Sequence, residues 1–97
     1  MAFVVTAKWT AREGQEDVVE AALRKLAGPS RAEAGSILYQ AHRDPDNPRV
    51  FFLYEQYRTK ADYEAHGASA HFQEFGVGEA FPSLELRERG FYETWEI

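Results

Sequence analysis

Cysteine is absent from this chain. Disulfides, thiolate nucleophiles, zinc–thiolate sites and iron–sulfur clusters are therefore excluded together, and the composition suits a reducing cytosol. Basic charge is also in short supply: 11 Lys and Arg stand against 16 Asp and Glu, a net −5. A phosphate backbone needs a basic face to neutralise it, so nucleic acid is not an expected partner. No long apolar run occurs. The opening MAFVVTAKWT has no basic leader segment, and Lys8 interrupts it, so neither a signal peptide nor a membrane span is expected and the chain reads as soluble and cytoplasmic. The seven glycines form neither a dinucleotide fingerprint nor a phosphate loop, and no serine lies in a nucleophile elbow. Nothing indicates a bound nicotinamide, flavin or nucleotide.

What remains is one domain of 97 residues, 44% hydrophobic and 14% aromatic, enough for a single core of modest stability. Ala2 to Thr10 alternates Phe3, Val5, Ala7 and Trp9 with Val4, Thr6, Lys8 and Thr10, the period of a strand. From Gln15, Val18, Val19, Ala22, Leu23 and Leu26 fall at helical spacing, and Gly28-Pro29 is expected to stop that helix. The link Ser30 to Gly35 precedes a second strand, Ile37 to Arg43. Asp44 to Pro48, DPDNP, is the densest turn signal, and it joins that strand as a hairpin to a third, Arg49 to Arg58.

Thr59 with Asp62 three residues on predicts a helix to about His66, closed by Gly67. Ser69 caps a second short helix through His71, Phe72 and Phe75, which Gly76 and Gly78 are expected to interrupt. After Pro82 comes a last strand, bulged at Gly90. The order β-α-β-β-α-β is the split βαβ pattern: an α+β, ferredoxin-like antiparallel sheet with helices on one face. Strand three is apolar on both faces, with Phe51, Leu53 and Tyr57 on one and Val50, Phe52 and Tyr54 on the other. A chain this small cannot cover both, so a homodimer through the bare sheet face is expected.

Glu55 shares its strand face with Phe51, Leu53 and Tyr57. A carboxylate there is either a site residue with a raised pKa or one half of a structural ion pair with Arg or Lys. His66 ends one short helix and His71 opens the next. Tyr63 with His66, and His71 with Phe75, fall at same-face spacings, so imidazoles and rings can line one hollow. Each histidine can serve as a base, or as a donor to a developing anion. Equally, His66 can satisfy carbonyls at a helix C-terminus and His71 can sit at an exposed turn. A metal is not expected, because the five-residue spacing is not a same-face pair and no third ligand stands nearby in sequence. His42 with Asp44 and Asp46 reads as turn capping.

The stretch ILYQAHRDPDNPRVFFLYEQYRTKADYEAHGASAHF resembles the hallmark region of the antibiotic biosynthesis monooxygenase family. Its marks are a strand bearing Tyr39, a DP-rich hairpin, Tyr54-Glu55-x-Tyr57, then His66 and, after small residues, His71-Phe72. The resemblance implies a dimeric α+β barrel with a pocket between sheet and helices. It implies oxidation of a small phenolic or quinol-type aromatic by O₂, without metal, flavin or other cofactor. In that reading His66, His71 and Glu55 are the catalytic candidates, and Tyr39, Tyr57, Tyr63, Phe72 and Phe75 shape the substrate pocket. The haem-degrading branch carries an asparagine, a tryptophan and an axial histidine where this chain has Ala7, His66 and Gly76, so haem is not expected. Two other readings stand beside the oxidative one. One is a small-molecule binding module on the same barrel. The other is an acid–base enzyme on a phospho-ketone, as in the autoinducer-2 degradation branch, for which Arg43, Arg58, Arg87 or Arg89 would hold the phosphate.

Overall fold

The computed structural model describes residues 1–97. Four strands, β1 (Phe3–Ala11), β2 (Ser36–Arg43), β3 (Val50–Tyr57) and β4 (Leu84–Glu93), form one antiparallel sheet in the order β2-β3-β1-β4. Two α-helices, α1 (Glu16–Arg31) and α2 (Lys60–Gly67), a π-helix (Phe72–Ala80) and a 3₁₀ turn (Phe81–Ser83) complete the chain. This is the expected α+β, ferredoxin-like arrangement.

Pairing puts Val5 opposite Glu55, Ala7 opposite Leu53 and Trp9 opposite Phe51, while Tyr39 lies opposite Glu55 on the other side. Paired residues of neighbouring strands share a face. That face therefore carries Val5, Ala7, Trp9, Tyr39, Phe51 and Leu53, all buried, and all but Val5 join Val19, Ala22, Leu23 and Leu26 of α1 in one core. Glu55 is the acid set into it. Across β1, Ala7 pairs with Arg89 and Trp9 with Arg87, so both arginines of β4 belong to this face as well.

The hairpin is built as its sequence requires: Asp44 Oδ1 accepts from the amides of Asp46 and Asn47 at 2.8 and 3.1 Å. Thr59 caps α2 by accepting from the Asp62 amide at 3.2 Å, and Ser69 Oγ accepts from the Phe72 amide, also at 3.2 Å.

Three expectations are corrected. Helix α1 does not stop at Gly28-Pro29 but continues through Pro29 to Arg31. Proline removes one helical donor, and the buried positions Leu26 and Ser30 on either side hold the turn against the core. Gly76 and Gly78 do not interrupt the second short helix; its backbone widens into a continuous π-helix. A Cβ at Gly76 would lie 3.3 Å from the Phe72 ring, so this glycine gives that ring room. The irregular register lies not at Gly90 but near the start of β4, where Thr10 faces Leu86 and Ala11 faces Leu84. Gly90 serves close approach instead: a Cβ there would come within 2.7 Å of Thr6 Oγ1.

No helix covers the opposite sheet face. Leu38, Phe52, Leu86 and Tyr92 point out from it, each at least 38% exposed.

Candidate functional site

Helix α2 ends directly above β3. That places His66, 3% exposed, over the carboxylate of Glu55, 6% exposed. Aromatic rings enclose the imidazole: Phe72, Tyr57 and Tyr39 have centroids 5.1, 5.6 and 5.8 Å from it. The ring does not cap its own helix. Its Nδ1 turns to Glu33 Oε2 at 2.8 Å, and the same oxygen takes His71 Nε2 at 2.6 Å. A carboxylate only accepts, so Nδ1 of His66 carries the proton and its Nε2 keeps a lone pair. That Nε2 is 4.0 Å from Glu55 Oε1.

Glu55 has no arginine or lysine partner. Its Oε1 accepts a 2.5 Å hydrogen bond from the Tyr57 hydroxyl, and the only basic side chain within 4.0 Å of it is the imidazole of His66. Burial raises its pKa from 4.5 to about 7, against the lowering effect of the Tyr57 bond. Burial lowers the pKa of His66, with Glu33 opposing the shift through its hydrogen bond and its charge. Tyr57 and Tyr39 are both pushed upward, chiefly by burial and then by the charge of Glu55, so each stays a phenol. A neutral imidazole and an acid that titrates near neutrality thus face one another in an apolar setting, the environment that tunes groups for proton transfer.

The hollow beside them is lined by Val5, Ala7, Trp9, Tyr39, Glu55, Tyr63, His66, Phe72, Phe81, Arg87 and Arg89, and its cavity volume is about 30 Å³. Of the expected pocket residues, Tyr39, Tyr63 and Phe72 line it. Tyr57 lies behind, as the hydrogen-bond donor to Glu55. Phe75 is not in it: its ring packs against the core and beneath Lys25 Nζ, 5.4 Å from the centroid. His71 is absent from the lining too, and touches the site through Glu33.

Glu33 is the residue that sequence reasoning missed. It lies in the link after α1, where the Ser36 amide donates back to its carbonyl at 3.1 Å. Its Oε1 is buried without a partner. An acid in a short polar link carries no periodic signal, and only the fold joins it to histidines 33 and 38 positions away. No third ligand stands near the histidines in sequence, but the fold supplies one: ligating atoms of Glu33, His66 and His71 lie within 4.8 Å of one another. The donor set of two imidazoles and a carboxylate suits a divalent transition metal. The spacing is that of direct hydrogen bonds, however, since ligands sharing a tetrahedral zinc at about 2.0–2.1 Å stand roughly 3.3 Å apart. His42, by contrast, bonds the Phe52 carbonyl at 3.1 Å beside the hairpin turn, a local role.

The family model for antibiotic biosynthesis monooxygenases matches residues 2–76. Among solved structures, the chain is similar to the Pseudomonas aeruginosa protein PA3566, with 30% identity over 98% of this chain and 95% of that one and a TM-score of 0.87. It is similar to SO0527 of Shewanella oneidensis at 27% identity, covering 94% and 88% of the two chains with a TM-score of 0.86. Rv0793 of Mycobacterium tuberculosis, at 20% identity, shares the fold over 100% of this chain and 98% of its own, with a TM-score of 0.90. Comparison with proteins of curated function gives no match.

Proposed function

The chain belongs to the antibiotic biosynthesis monooxygenase family, and from that premise we propose that it oxidises a small phenolic or quinol-type aromatic with O₂, using side chains alone. The observation that carries this reading is the pairing of buried His66 with half-buried Glu33. Glu33 fixes the His66 tautomer and leaves Nε2, with its free lone pair, beside the hollow that Tyr39, Tyr63 and Phe72 help to form.

The substrate ring enters by displacing these aromatics, since the hollow holds only about 30 Å³, and His66 Nε2 takes the phenolic proton. Glu33 stabilises the resulting imidazolium, as a carboxylate does behind any histidine base. The phenolate is electron-rich enough to pass an electron to O₂, and the radical pair collapses to a peroxide at a ring carbon. The imidazolium returns its proton to the peroxide. One oxygen stays on the ring, and the other leaves as water with two hydrogens of the substrate. Hydroxylation takes two electrons from the substrate and conversion of quinol to quinone takes two more, so O₂ is fully reduced without an outside reductant. The protein contributes positioning, desolvation and charge placement. Glu55, protonated below about pH 7, keeps a second negative charge away from the phenolate; His71 orders Glu33.

The bare sheet face is the proposed homodimer interface, since a second copy would bury Leu38, Phe52, Leu86 and Tyr92 against their own equivalents. The catalytic reading is tested with an oxygen electrode and a panel of quinols and anthrones. Uptake that depends on substrate and falls in His66→Gln supports it, whereas unchanged uptake in that variant sinks it.

A further inference from the structure

Two arginines of β4 are left over by this mechanism. Arg87 and Arg89 stand two residues apart on the face that β4 turns toward the hollow, and both line it. Neither has a carboxylate within 4.0 Å. The chain's other arginines are tied down: Arg24 and Arg43 to Glu20, Arg49 to Glu85, Arg58 to Asp62, and Arg12 and Arg31 to the carbonyls of Pro82 and Tyr39. Arg89 donates only to the Tyr63 hydroxyl, at 3.2 Å. The Arg87 side chain makes no hydrogen bond; its guanidinium carbon lies over Phe81, 4.0 Å from the ring centroid. In a chain of net charge −5, which has acids to spare, these two neighbouring exposed cations stand without an acid. Burial and the neighbouring charge of Arg89 both act against the charge on Arg87. An anion bound between them would relieve that repulsion and fill the vacant donors.

Resting on the proposed function, we infer that the substrate is an anionic phenol, a single aromatic ring bearing a carboxylate or a phosphate, with its anion held by Arg87 and Arg89 and its hydroxyl turned to His66. Strand geometry sets the length. Glu55 is level with Val5 on one side of β1 and Arg89 with Ala7 on the other, so their backbones stand roughly 12 Å apart from strand spacings of about 4.8 Å and a rise of about 3.4 Å per residue. The lining side chains leave about 30 Å³ of that gap free, so one ring and its substituents occupy it by displacing them. The same polarity keeps the anion away from Glu55 at the opposite end. Stacking of Arg87 on Phe81 and the Tyr63 bond to Arg89 hold both guanidiniums in place before binding.

The test is a matched set of probes, titrated anaerobically by calorimetry so that no turnover intervenes: hydroquinone, gentisate, which is hydroquinone plus one carboxylate, and 4-hydroxyphenyl phosphate. At least one anionic probe is expected to bind tenfold or more tightly than hydroquinone, and the tighter of the two identifies the anion. That preference should vanish in the double variant Arg87→Gln, Arg89→Gln and persist in the surface control Arg24→Gln. Thermal melts of the free variants verify folding, and Arg87→Lys, which keeps the charge, should retain most of the preference. Equal binding of all three probes overturns the inference, as does a preference that survives in the folded double variant. Failure of the parent reading looks different: discrimination among probes without O₂ uptake by any of them refutes the oxidative chemistry and leaves the anion subsite standing.

Discussion

Replacing Glu55 by Gln should stabilise the protein above neutrality and do progressively less as the pH falls. Glu55 is buried with a pKa raised from 4.5 to about 7. The folded state therefore holds its proton across a window in which the unfolded chain has lost it. For such an acid, stability falls as pH rises from 4.5 through 7, and the cost is fully present above 7. With these two values the linkage relation gives a cost of about 3 kcal/mol at pH 8 and about 1 kcal/mol at pH 5, a difference of about 2 kcal/mol. Gln keeps an acceptor for the Tyr57 hydroxyl and removes the titration. His66 slopes the opposite way, because its lowered pKa costs stability as pH falls below about 6.5. Comparing Glu55→Gln with the parent at each pH removes that contribution. Urea unfolding followed by fluorescence of the buried Trp9, at one protein concentration and at pH 5, 6, 7 and 8, measures it. The predicted result is a variant whose stability relative to the parent climbs by about 2 kcal/mol from pH 5 to pH 8. A variant equally destabilised throughout would refute the reasoning, since it would mean that Glu55 is ionised and compensated in the fold.

The histidines should separate kinetically: His66→Gln is expected to lower kcat by about 10²- to 10⁴-fold, the usual worth of a general base, whereas His71→Gln, which acts only through Glu33, should lower it by about tenfold or less. Steady-state O₂ uptake with each purified variant gives the ratio, and equal losses would mean that the pair works as a unit. Phe52→Glu, placed in the bare sheet face, should convert the expected dimer to monomer in sedimentation velocity while leaving the monomer folded. Treatment with a strong chelator should leave O₂ uptake unchanged; loss on chelation with recovery on adding a divalent metal would recast Glu33, His66 and His71 as ligands.

The fold was legible because its signals are local. Alternation in β1, the amphipathic face of α1, the DPDNP hairpin and the Thr59 cap each depend on neighbours in sequence, and the sheet order follows from them. Breaker residues were read too strictly. Pro29 sits in α1 because core packing on both sides outweighs one lost donor, and Gly76 and Gly78 are absorbed by a widened helix rather than ending it. Within the site, Glu55 stood out as an acid on an apolar strand and His66 as a helix-terminal histidine, and the fold brings them within 4.0 Å. Glu33 could not be found, because its role is created entirely by long-range contact. Arg87 and Arg89 were visible only as two of several candidates for a phosphate; what singles them out is the lack of an acidic partner, a property of three-dimensional packing. Phe75 shows the reverse failure: same-face spacing with His71 on an ideal helix does not carry over to a π-helix.

The central claim is that His66 starts a direct reaction between a bound phenol and O₂. Turnover under ¹⁸O₂ with the tightest-binding quinol, followed by mass spectrometry of the product, tests it most directly. The account predicts one labelled oxygen on the ring and the other in water with the parent protein, and loss of the labelled product in folded His66→Gln. Label drawn from solvent, or labelled product undiminished in that variant, would contradict it.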